Sequence, residues 1–218
     1  MPAVAEAAVT LRHPLPPEDQ ARADFYALLA RLYAAAPDPD LLAAIASAPP
    51  LATATHTSEA GDVAVALARA WDDVRAASAA MDPAAARQEY DDLFVGVGTV
   101  AVNLHASHWL AGAMMQKPLA ELRAALATLG LGRRPEAVMV EDHVAALCET
   151  MRLLIAGHGE RNPATIEDQR AFFERYMATW IEQCCNAIVE NSIANYYRPV
   201  AEFTKYLLAL ERDSFAIE

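Results

Sequence analysis

Cysteine is nearly missing from this chain: three in 218 residues, at Cys148, Cys184 and Cys185. An odd count with two adjacent members is no disulfide framework, and it points to a reducing compartment. Glycine is scarce, at 8 residues, and β-branched runs are short. Both facts favour helices over a sheet. Basic residues are few as well, 17 Lys and Arg against 29 Asp and Glu, for a net charge of −12. No basic stripe exists to meet phosphates, which argues against nucleic acid and anionic membrane surfaces. No uninterrupted apolar run reaches the ~18 residues of a membrane span. The start, MPAVAEAAVTLRHPLPP, lacks the basic opening and long apolar stretch of a signal peptide. A soluble cytoplasmic protein is expected.

What the chain has is apolar bulk, 55% of residues, much of it alanine, the strongest helix former. The length suits one domain. Residues 1–17 read as a flexible N-terminal arm, and 18–218 as an all-α domain. Phe25, Leu28, Leu29 and Leu32 stand at i, i+3, i+4 and i+7 of a helix stopped near Pro37. DPDLLAAIAS is a short helix, and SAPPLATATHTSEAG is a loop. Val63, Leu67, Trp71 and Val74 mark the next helix. Asp82-Pro83 is a start signal for a helix carrying Tyr90, Leu93 and Phe94 on one face, broken by Gly96 and Gly98. A helix is expected over His105–Gln116. Another starts at Lys117-Pro118 and ends at Gly130. GHGERNPAT is a linker. One long helix then carries Phe173, Tyr176, Met177, Trp180, Cys184 and Ile188, and a last one spans Pro199 to Glu211.

The stretch VMVEDHVAALCETMRLLI holds the most pointed question. Val144, Leu147, Cys148, Met151, Leu154 and Ile155 form an apolar stripe at helical spacing. Glu141 or Asp142 in the first turn would complement the helix dipole. His143 is left over, beside Asp142, as a polar knob at a helix entrance. His105 and His108, at i and i+3, with Asp142 and His143, allow a helical metal-dependent hydrolase as an alternative, but no HExxH or paired CxxC supports a metal site. Cys184-Cys185 read as small core hydrophobes. Ser107 has no G-x-S-x-G around it, and Gly96-x-Gly98 follows a helix, so it is no phosphate loop. Tyr90, Leu93 and Phe94 are either core or the lining of an apolar peptide groove. No catalytic residue, metal or cofactor is assigned.

Several segments together carry a family resemblance. EYDDLFVGVG, Glu89 to Gly98, resembles the E-x-x-x-L-F-x-G-x-G stretch of the TorD/DmsD chaperones of molybdenum redox enzymes. EDHVAALCETMRLLI is similar to that family's Asp-His helix start, and FFERYMATWIEQCCNAIVENSIANYYRPVAEFTKYLL to its closing helices. The likeness runs over roughly residues 20–211. It implies an all-helical bundle of about eight to ten helices. It implies a cytoplasmic, non-enzymatic chaperone that binds the twin-arginine signal peptide, or the apo form, of a molybdoenzyme precursor and assists cofactor insertion. The partner is then that precursor or apo subunit, with no nucleic acid and no membrane insertion; members occur as monomers and as homodimers. The resemblance assigns client binding to Tyr90, Leu93, Phe94, Asp142 and His143. Two departures stand out: Gly96-Val97-Gly98 replaces the common Gly-Pro-Gly, and TVAVNLHASHWL lacks the usual Pro-rich run. HASHWLAGAMMQKPLAELRAAL looks closer to members serving formate dehydrogenases. A basic, apolar leader would also suit the acidic chain. Glu89, Asp91, Asp92, Glu141 and Asp142 are the carboxylates beside apolar residues that guanidinium groups would seek.

Overall fold

Helix after helix covers the chain in the computed structural model, which describes residues 14–52, 59–96, 100–134, 136–159 and 161–217. Among the described residues there are ten helices: α1 (Pro17–Ala34), α2 (Pro39–Ser47), α3 (Glu59–Ala80), α4 (Pro83–Phe94), α5 (Ala106–Ala111), α6 (Lys117–Thr128), α7 (Val144–Ala156), α8 (Ile166–Tyr176), α9 (Ile181–Glu190) and α10 (Tyr197–Ile217). The expected all-α fold is therefore observed. Residues 1–13 of the expected arm lie outside the described residues, as do 53–58 of the expected Ser/Thr loop and 97–99 of the glycine loop.

The packing follows from the apolar stripes. α1 lies on α7, and α10 lies on α3 and α9. Tyr26, Leu29, Leu32 and Tyr33 of α1 meet Leu147, Cys148 and Met151 of α7 in one buried core with Val200 and Phe203 of α10. α2 rests on α3, α5 on α6, and α7 on α8. One ion pair is sunk into this core. Arg22 donates from Nε and Nη2 to the two oxygens of Glu211, at 2.9 and 2.7 Å, and Tyr26 Oη joins at 3.3 Å. Arg22 also reaches Gln169 of α8 at 3.0 Å. Three helices are thus tied at one guanidinium.

Three expected boundaries shift. The long helix expected through Phe173 and Ile188 is two, α8 and α9. The break at Met177–Trp180 contains no Gly or Pro; the amides of Met177 and Ala178 both turn back to Phe173 O, at 3.0 Å. Trp180 is buried, and its indole N–H donates to Tyr176 O at 2.8 Å, so the freed carbonyl is satisfied. The helix expected over His105–Gln116 stops at Ala111, because Gly112 takes φ 74 and closes it. The last helix starts at Tyr197, ahead of Pro199, and runs past Glu211 to Ile217. The others fall close to expectation. Asp82 caps α4, accepting from Ala84 N at 2.9 Å and Ala85 N at 3.0 Å. Gly130 takes φ 64 just beyond α6, and Arg161 fills the space a side chain there would need. Among the described residues no helix is long and apolar enough to cross a membrane.

Candidate functional site

The last turns of α4 are mostly committed to the fold. The Glu89 carboxylate is buried and accepts three backbone N–H groups, from Asn195 (2.9 Å), Tyr196 (2.9 Å) and Tyr197 (2.8 Å). It therefore caps α10 from across the bundle, and it is not free to meet a guanidinium. Tyr90 is buried, with its hydroxyl donating to Tyr33 O at 3.2 Å. Leu93 is fully buried. Phe94 is half-buried, edge-on to Tyr197 at 5.0 Å and Tyr90 at 5.3 Å. Of this trio, only Phe94 comes substantially to the surface, next to Val95, which is 59% exposed.

A short strap, Val102 to His105 and the first residue of α5, Ala106, joins this helix end to the start of α7. Val102 N donates to Leu93 O, Val144 N to Leu104 O, and Ala106 N to Asp142 O, all at 2.9 Å. His105 and His143 pair there as an isolated antiparallel bridge. Asn103 is the strap's hub. Its carbonyl accepts from Trp109 Nε1 at 2.7 Å and from Cys184 Sγ at 3.5 Å. Its side-chain oxygen accepts from His105 N at 2.9 Å and meets His105 Nδ1 at 3.2 Å.

The Glu141-Asp142-His143 triplet splits three ways. Glu141 faces Arg123 at 2.9 Å and Arg133 at 3.7 Å, off the helix entrance. Burial pushes its pKa up, but hydrogen bonds from Arg123 and the backbone, together with the charges of Arg123 and Arg133, outweigh this and hold the carboxyl below its ordinary value. Asp142 is 1% exposed and turns away from α7. Its Oδ2 accepts from Ser107 N at 2.9 Å and Ser107 Oγ at 2.5 Å, so it caps α5. Among the described residues its Oδ1 has no hydrogen-bond partner. The α7 cap is His143 itself, whose Nδ1 accepts from Ala145 N at 3.1 Å. The expectation that an acid sits in the first turn of α7 is thereby corrected: a neutral imidazole does the capping, which requires the proton on Nε2. Burial first, and His105 second, lower the His143 pKa to about 3. The two rings meet edge to face at 4.8 Å. Burial also lowers His105, Asp142 opposes that shift, and His108 adds to it.

The structure thus gathers Asp142 and His143 with His105 and Ser107, and leaves His108 exposed on α5. Among the described residues no group of three or more His, Cys, Asp or Glu side chains is arranged to hold a metal ion. The three cysteines are free and buried, and burial pushes the Cys185 thiol up to about 12. Sequence reasoning missed Asn103, and it missed Ser107 as the partner of Asp142; a cap reaching across 35 positions leaves no local signal.

The family model described as nitrate reductase delta subunit matches residues 59–186, a span that includes both the α4 and the α7 motifs. Among solved structures, a putative redox enzyme maturation protein from Archaeoglobus fulgidus is similar at TM-score 0.55. It is 16% identical, over 91% of this chain and 98% of that one. That likeness shows a shared fold. The comparison with curated proteins returns no match.

Proposed function

The chain belongs to the nitrate reductase delta subunit family, the TorD-like chaperones of redox enzyme maturation, and from that premise we propose that it binds the twin-arginine leader of a molybdoenzyme precursor. Its client is then a precursor or apo subunit, with formate dehydrogenase as the favoured class. The work is done in the cytoplasm, by binding rather than catalysis. Tyr90, Leu93, Phe94, Asp142 and His143 organise the site. Phe94 and His105 offer surface for contact, while Leu93 and Asp142 act from inside.

The observation that carries this reading is the strap. Two motifs about fifty residues apart in sequence are pinned to one five-residue segment, at Val102 and at Leu104 and Ala106. One segment then joins both. The test is reconstitution with purified components: apo client subunit with its leader, and the same subunit without it. Retention of the leader-bearing form alone supports the reading. Equal retention of both moves recognition to the mature apoenzyme.

A further inference from the structure

Three of the large apolar side chains most open to solvent fall within six residues of each other. Leu110 is 45% exposed, Met114 36% and Met115 67%. They sit on α5 and the turn that follows it. The turn is held in an uncommon shape. Gly112 takes φ 74, and Met115 takes φ 55, a left-handed conformation that side-chain-bearing residues seldom adopt. Yet it is well anchored. Asp142 caps α5, Trp109 Nε1 is tied to Asn103 O, and Asn103 Nδ2 reaches Met114 Sδ at 3.6 Å. Gln116 Nε2 donates to Met114 O at 3.2 Å. A fixed scaffold displays flexible, polarisable thioethers, which adapt to varied apolar partners.

Charge decides what that partner is. The last turn of α4 carries Asp91 and Asp92 and no basic residue, at the negative end of the helix dipole. Asp92 is exposed and accepts from the Gln88 amide at 2.8 Å. Val102 is bonded to Leu93 O in that same turn, and the next residue, Asn103, to Met114. Consecutive Cα atoms lie about 3.8 Å apart, so the acidic helix end and the methionine turn are neighbours. We infer that the α5–methionine turn, Leu110, Met114 and Met115, is the docking surface for the apolar stretch of an arginine-bearing leader peptide, with the arginine end toward Asp91 and Asp92. This rests on the leader-binding reading and gives it a surface. Asp142 is then a positioning residue, which acts on the leader through Ser107 and α5.

The probe is a synthetic peptide with an Arg-Arg pair followed by an apolar Leu/Ala run of leader length, plus twins with the run changed to Ser or the arginines to Gln. Calorimetry is run on the whole chain and on Leu110→Asp, Met115→Gly and Asp91→Asn/Asp92→Asn, each checked by thermal melting. Expected are at least tenfold weaker binding for Leu110→Asp and Met115→Gly. Met115→Gly also melts no lower than the unaltered chain, because glycine suits φ 55; a merely structural role would not separate the two readouts. The Asp pair variant should lose the preference for the Arg-Arg peptide over its Gln twin. Unchanged affinity in Met115→Gly and Leu110→Asp, while the unaltered chain binds, overturns this surface and leaves leader binding standing. No binding by the unaltered chain overturns both.

Discussion

Asp142 Oδ2 accepts both the amide and the hydroxyl of Ser107, at 2.9 and 2.5 Å, and so caps a helix that begins 36 positions earlier, at Ala106. Both residues are buried, so the carboxylate cannot be traded for water. Replacing Asp142 by Ala leaves the Ser107 donors orphaned and should cost about 1–3 kcal/mol. Ser107→Ala should cost less, because it keeps the amide bond. Urea unfolding measures both. Hydrogen exchange over residues 104–111 should speed up in Asp142→Ala beyond the global change, since the strap and α5 are released together.

His143 makes stability depend on pH. Its folded pKa is held near 3, by burial foremost, against an ordinary 6.5. The unfolded state therefore binds the proton more readily. The contribution of His143 is full above about pH 6.5 and drains as pH falls toward 3, a loss of roughly 1–4 kcal/mol. His105 shifts in the same direction. His143→Asn keeps a side-chain acceptor for Ala145 N and should flatten that slope between pH 6.5 and 4 in urea titrations. An unflattened slope would assign the acid sensitivity elsewhere.

Glu89→Ala removes three charge-assisted bonds at the head of α10. The expected loss is about 2–4 kcal/mol, read as a lower melting temperature. Glu89→Gln should recover part of it, because its amide oxygen still accepts.

Arg22 and Glu211 answer to the same logic at the other end of α10. Glu211→Ala removes two charge-assisted bonds and leaves Arg22 with Asp19 at 2.8 Å and Gln169 at 3.0 Å, and should cost about 1–3 kcal/mol. Replacing both partners by Met and Leu should cost far less. Equal losses in the single and double variants, measured by denaturant unfolding, would contradict the role of that pair.

Helix positions were legible where the signal was local. Asp82-Pro83 opened α4, Gly130 followed α6, and the Phe25–Leu32 stripe marked α1. The α8–α9 break was not legible, because Phe173, Met177, Trp180, Cys184 and Ile188 keep helical spacing across it and no Gly or Pro interrupts them. The site was half legible. In sequence Glu89 and Asp142 read as carboxylates for guanidinium groups and His143 as a polar knob at a helix entrance; in the fold all three are caps. The partners of Glu89 and Asp142, the amides of α10 and Ser107, depend on chain crossings that no periodicity encodes, whereas that of His143, the amide of Ala145, is local. The same crossings make Glu89 and Asp142 interior caps, although in sequence they read as open carboxylates for an arginine peptide.

The most direct measurement is calorimetric titration of the folded chain with a panel of twin-arginine leader peptides, formate dehydrogenase leaders among them. Saturable binding of one leader class at one site per chain, weakened when its arginines are replaced, is the expected result. A folded chain that binds none of them would contradict the leader-binding account.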